Sequence, residues 1–116
     1  MVYFCVSSES EPTAPPDNVQ ALTISSTTIL VIWDPVPEID RNGIITQYEV
    51  EFTQSTFNEI STSNLITANG SQLMVDLEGL EEYVEYSISV QASTSVGAGP
   101  FSVAVMNRTL EDGEQT

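Results

Sequence analysis

Two short runs with strict alternation, separated by a corner of a few residues, limit this chain more than any other feature. Leu73, Val75 and Leu77 alternate with polar neighbours, and so do Tyr86, Ile88, Val90 and Ala92. Side chains of a strand point to opposite faces in turn, so each run has one apolar face and reads as a half-buried strand. Between them stands Gly79-Leu80-Glu81-Glu82-Tyr83, too short for a helix and suited to a corner. A Tyr ring that goes inside needs a partner for its hydroxyl, and backbone groups a few residues upstream of Tyr86 are within reach. The pattern predicts a tyrosine corner that ties two sheets together.

The rest of the chain repeats the period. Pro12, Pro15 and Pro16 cannot donate to a ladder, which suits the approach to an edge strand. A first strand is predicted over residues 18–25, with Val19, Leu22 and Ile24 as its apolar positions. Ser25-Ser26-Thr27 turns the chain into a second strand, in which Ile29, Val31 and Trp33 share a face. Trp33 is the largest single anchor, burying on the order of 200 Å2 at about 25 cal/mol per Å2. Residues 34–43 form a loop with two prolines and an Asn-Gly turn signal. Ile45, Tyr48, Val50 and Phe52 belong to a third strand, residues 60–67 to a short edge strand, and residues 101–109 to the last. Seven short strands without helical periodicity, and a turn signal about every ten residues, argue for a two-sheet sandwich with Greek-key connections.

At 116 residues the chain is long enough for one domain with its own core. Residues 1–11 stand apart from the pattern: an apolar Val2-Tyr3-Phe4-Cys5-Val6 run and a Ser/Glu-rich stretch read as a disordered leader or linker. The domain is expected over residues 12–110, followed by an acidic tail over 111–116. No apolar run approaches the roughly 20 residues that cross a bilayer. Val2–Val6 is too short for a signal-peptide core, so any targeting signal is expected outside these residues.

Charge narrows the function classes. Seventeen acidic residues face only Arg41 and Arg108, giving a net charge of -15. Phosphate backbones are held by Lys and Arg, so nucleic acid is excluded as a partner, and an anionic membrane surface would repel the chain. A basic partner or calcium is favoured by the field, although solubility alone accounts for such a charge. The chain has no His and one cysteine, Cys5. It therefore builds neither a Ser-His nor a Cys-His nucleophile, no zinc cluster and no internal disulfide. No cofactor is expected. Asp34, Glu38 and Asp40 surround one loop, but their spacing matches no calcium loop. Asn69-Gly70-Ser71 and Asn107-Arg108-Thr109 are glycosylation acceptors in a secreted protein, with Asn69, at a turn, the better candidate.

Several spaced motifs resemble the fibronectin type III family. They are the Pro-rich entry, Ile29-x-Val31-x-Trp33-Asp34-Pro35, Asn42-Gly43, Tyr48-x-Val50-x-Phe52, Leu77-x-x-Leu80 with Tyr86, and Ser95-x-Gly97-x-Gly99-Pro100-x-Ser102. The resemblance spans roughly residues 12–109 and implies an all-β, immunoglobulin-like, seven-stranded sandwich without a disulfide. It makes Trp33, Tyr48, Val50, Leu80, Tyr86 and Val90 carriers of the fold. One departure stands in the corner: the family usually has Pro-Gly there, and this chain has Glu82-Tyr83. Gly takes positive φ freely and Tyr at a cost, which opens the alternative of a different turn.

The resemblance also implies a non-catalytic interaction and spacer module in the extracellular part of an adhesion or receptor protein. The isolated domain would be monomeric, and its partners proteins or neighbouring domains. Two other readings stay open: a cytoplasmic structural repeat of a muscle or cytoskeletal protein, and a non-catalytic domain attached to a phosphatase or glycosidase module. In the family, the loops 34–43 and 93–100 share one end of the sandwich. Val36, Ile39, Val96 and Ala98, with Glu38 and Asp40, are candidates for an apolar contact rimmed by carboxylates. The competing reading has Ile39 and Val96 capping the core. Pairing along an open sheet edge is a further route to a partner.

Overall fold

The run Ile29-Leu30-Val31-Ile32-Trp33 is apolar at every position, and the computed structural model shows what each half of it does. Residues 10–54 and 63–111 are described here. The strands are β1 (Asp17–Thr23), β2 (Ile29–Asp34), β3 (Gln47–Gln54), β4 (Ser63–Asn69), β5 (Met74–Leu77), β6 (Glu85–Ser93) and β7 (Val105–Arg108). They form a three-stranded sheet in the order β1-β2-β5 and a four-stranded sheet in the order β4-β3-β6-β7. Every paired neighbour is antiparallel. The all-β, two-sheet sandwich expected from the period is the fold of the chain.

Alternation decides the layers. Ile29, Val31 and Trp33 of β2, Tyr48, Val50 and Phe52 of β3, and Tyr86, Ile88, Val90 and Ala92 of β6 face inward and are buried. They meet Leu77 and Leu80 in one core. Registers Tyr48↔Ala92 and Phe52↔Ile88 place a large residue beside a smaller one on either side of the Val50↔Val90 pair in the centre of the sheet. Trp33 lies against Tyr48 with ring centroids 5.3 Å apart. Its indole Nε1 is buried without a hydrogen-bond partner among the described residues.

The other half of the β2 run looks outward. Leu30 pairs laterally with Leu22 of β1, and Ile32 with Met74 of β5. Leu22 and Met74 are exposed, so the outer face of the small sheet carries an apolar stripe bordered by Asp34 and Asp76.

Boundaries differ from the sequence reading in several places, beginning with β1, which ends at Thr23 rather than at residue 25. Within loop 34–43, residues Glu38–Arg41 form a one-turn helix, α1, entered at Pro37 and closed by Asn42 with φ 58°. Strand β3 begins at Gln47 rather than Ile45; just ahead of it Thr46 donates to the Ser93 carbonyl and accepts from Gly70 N, at the ends of its two partner strands. The edge strand seen as residues 60–67 is β4, Ser63–Asn69, and residues 60–62 lie outside the described part. The last strand is confined to Val105–Arg108; ahead of it, Ser102 replaces regular pairing by bonding Val90 through both backbone and hydroxyl. Cys5 and the Val2–Val6 run also lie outside the described residues.

Candidate functional site

The corner comes first, because it sets where the chain leaves the sandwich. Tyr86 is buried on β6, and its hydroxyl accepts a 2.8 Å hydrogen bond from the Glu81 amide, five residues upstream. The buried Thr109 hydroxyl donates 2.7 Å to the Glu81 carbonyl and accepts from Val84 N at 3.0 Å. Glu81 is thus gripped at both backbone groups. No period or motif marks Thr109; only the packing of the chain's exit against the corner reveals it.

Tyr83 takes φ 55°, the left-handed conformation that glycine adopts freely. The corner keeps its turn despite the bulky residue, and Arg108 compensates. Its guanidinium lies 4.8 Å from the Tyr83 ring centroid, and Nη1 donates 3.0 Å to the Tyr83 carbonyl.

At the opposite end the loops 34–43 and 93–100 are not free. The entry segment runs between them as a strap. Ser10 N donates to the Asn42 carbonyl and Thr13 N to the Asp40 carbonyl, each at 2.9 Å. Asn42 Nδ2 donates to the Glu11 carbonyl at 3.1 Å, and from the other loop Thr94 Oγ1 donates to the Ser10 carbonyl at 2.9 Å. Pro12 is buried beneath Gly99, where an added Cβ would stand 2.7 Å from the Pro12 carbonyl oxygen. Ser10 and Glu11, placed in the leader by composition, are hydrogen-bonded into the domain.

This arrangement redistributes the candidate contact residues. Val36 is fully buried at 0% exposure and belongs to the core, so it is removed from the candidate contact. The prolines on either side fold it inward, and Arg41 Nε holds its carbonyl at 2.7 Å. Ile39 is 85% exposed and Val96 54%, so neither caps the core. Glu38 and Ala98 are also exposed, and Asp40 is half-buried. Asp40 accepts a 3.2 Å bond from Thr13 Oγ1, and Asp34 a 3.1 Å bond from Asn18 Nδ2. Among the described residues no three acidic or sulfur side chains gather as metal ligands.

The two glycan acceptors differ in geometry. Asn69 is exposed in a tight turn, with its Oδ1 accepting from both the Ser71 amide and hydroxyl at 2.9 Å. Asn107, by contrast, spends its amide nitrogen on the Ala21 carbonyl of β1, across the sandwich.

Titration adds one shifted group. Burial pushes the Tyr48 phenol above its ordinary value of 10.0, and the nearby Arg41 charge opposes that shift.

Residues 14–108 match the model of the fibronectin type III domain, most of the chain. The chain belongs to the fibronectin type III family. Receptor-type tyrosine-protein phosphatase F of Bos taurus is 41% identical over 105 residues, covering 90% of this chain and 6% of the relative. Protein sidekick-1 of Gallus gallus is 40% identical over 105 residues, covering 90% of this chain and 5% of that protein. The chain spans a small fraction of the length of these relatives. Among solved structures, the third fibronectin III domain of human KIAA0343 protein superposes with a TM-score of 0.83 at 27% identity. It covers 95% of this chain and 92% of that one. As a fibronectin type III domain, the chain combines the family's Leu80–Tyr86 corner with a Tyr83 position that here carries a side chain in a glycine-like conformation. No helix among the described residues is long and apolar enough to cross a membrane.

Proposed function

We propose that this domain is a non-catalytic interaction and spacer module of a larger cell-surface adhesion or receptor protein, with residues 12–110 as its folding unit, extended at the entry by the hydrogen-bonded Ser10 and Glu11. The observation that carries the reading is the placement of entry and exit. Strand β2 runs from the corner end, where Leu80 N bonds the Thr27 carbonyl, to the loop end at Asp34. The strap is fastened at the loop end. The exit is fastened at the other, where Leu110 bonds Ser25 and Tyr83. A domain held at opposite ends passes a fixed length and orientation to whatever precedes and follows it. The exposed Ile39, Val96 and Ala98, with Glu38 and Asp40 beside them, are the residues offered at the loop end. The relatives' description as a receptor-type phosphatase supports the extracellular assignment, and the absence of His from the chain supports a non-catalytic role.

Expression through a secretory pathway tests the localisation. A glycan is expected on Asn69 and none on Asn107, whose nitrogen is engaged in the fold. A bare Asn69 in folded secreted protein would favour the cytoplasmic structural repeat. Sedimentation velocity tests the spacer role: the domain should run as a monomer, and a dimer of residues 12–110 alone would make it a homophilic contact instead.

A further inference from the structure

Beside the loop end, α1, the start of β3 and the β4–β5 turn border an open cleft of about 420 Å3. Its walls are apolar: Pro35, Ile44, Ile45 and Leu73. Arg41, Tyr48 and Ser71 supply the polar groups. The turn wall lies close against the approach to β3, where any side chain at Gly70 would run into the Ile45 carbonyl. A concave site with apolar walls and a few convergent polar groups is the usual form of a ligand site.

Arg41 is the unusual member. It is one of two cations in a chain of net charge -15, yet it forms no ion pair among the described residues. Asp40, next to it in sequence, takes Thr13, and Glu38, three residues before it on α1, forms no ion pair with it among the described residues. Its Nε is anchored on the Val36 carbonyl, and Tyr48 lines the same cleft, close enough for the Arg41 charge to act on the phenol. A planar guanidinium fork matches a carboxylate in shape and charge, and an adjacent phenol adds a third donor.

The geometry points to a carboxylate-binding site in this cleft, Arg41 and Tyr48 holding the carboxylate and Ile44, Ile45 and Leu73 receiving an apolar body attached to it. The carboxylate belongs either to a small organic acid or to an acidic side chain of a protein segment flanked by apolar residues. Net charge repels anions at long range, so binding relies on short-range contacts and is best read at physiological salt, where the screening length is about 8 Å.

Amide NMR titration of the 116-residue chain tests this with three probes: benzoate, its neutral isostere benzamide, and the peptide acetyl-Leu-Glu-Leu-amide. Saturable shifts at Arg41, Gly43, Ile44, Gly70 and Ser71 are expected with benzoate, the peptide or both, and at least about tenfold weaker binding with benzamide. Arg41→Gln should abolish those shifts, and Arg108→Gln should leave them unchanged. Tyr48→Phe, which keeps the ring in the core, should weaken binding by about threefold to tenfold. Saturation by benzoate alone assigns the site to a small acid, and by the peptide alone to a protein segment. Equal binding of benzamide, shifts that survive Arg41→Gln, or no saturation by either carboxylate overturns the proposal.

Discussion

Tyr86 and Thr109 hold the same residue from two sides: the Tyr86 hydroxyl accepts from Glu81 N at 2.8 Å, while Thr109 Oγ1 donates to the Glu81 carbonyl at 2.7 Å. Neither contact lies within a ladder, and together they join the corner to the chain's exit. Tyr86→Phe should cost about 1–3 kcal/mol, because the Glu81 amide loses its partner while the ring stays buried. Thr109→Val should cost a similar amount, and the double variant less than the sum, since both bonds serve one peptide unit. Urea denaturation measures all three. Unchanged stability of Tyr86→Phe would remove the corner from the list of structures that hold the sheets together.

Tyr83 carries opposing terms. A non-glycine residue in the left-handed region costs of order 1 kcal/mol, and the Arg108 stack returns a comparable amount. Tyr83→Gly removes strain and stack together, so its stability should stay within about 1 kcal/mol of the parent. Tyr83→Val keeps the strain, adds β-branching and loses the stack, and should lose about 1–2 kcal/mol. Thermal unfolding of the pair checks the order.

Gly99 is the lock on the strap. In Gly99→Ala the new Cβ would meet the Pro12 carbonyl at 2.7 Å, and backbone cannot give way as a side-chain tip would. The segment should lift, with a loss of about 1–3 kcal/mol. Hydrogen exchange at Ser10 and Thr13, whose amides bond Asn42 and Asp40, should accelerate selectively. Equal protection in parent and variant would contradict the clamp.

Alkaline pH should find Tyr48. Its folded pKa lies above the unfolded value of 10.0, since burial disfavours the phenolate. The native state therefore binds the proton more tightly than the unfolded state. The resulting stability is fully present below pH about 10 and is lost as pH rises through the folded pKa. Tyr48→Phe should flatten that decline. Absorbance titration should show a late phenol ionisation that disappears in Tyr48→Phe.

The core was legible because alternation is a local property. Trp33, Tyr48, Val50, Tyr86 and Val90 each sit at an inward position of a strand, and a strand's two faces follow from its pleat alone. Val36 escaped that logic. It lies in a loop without a period, and only the path imposed by its flanking prolines and by Arg41 sends it inside. Leu30 and Ile32 are the converse case: their hydrophobicity suggests burial, but the register with Leu22 and Met74 puts them on an outer face.

What the amino-acid order determined by itself was the set of strands and the corner, since both follow from side-chain period and turn chemistry. The tertiary structure alone decided which distant groups meet. The strap on both loops, Thr109 on Glu81, Arg108 over Tyr83 and Arg41 with Tyr48 in one cleft are side-chain meetings that no strand register specifies. Such contacts depend on where two sheets bring loops together in space, and no local periodicity encodes that distance.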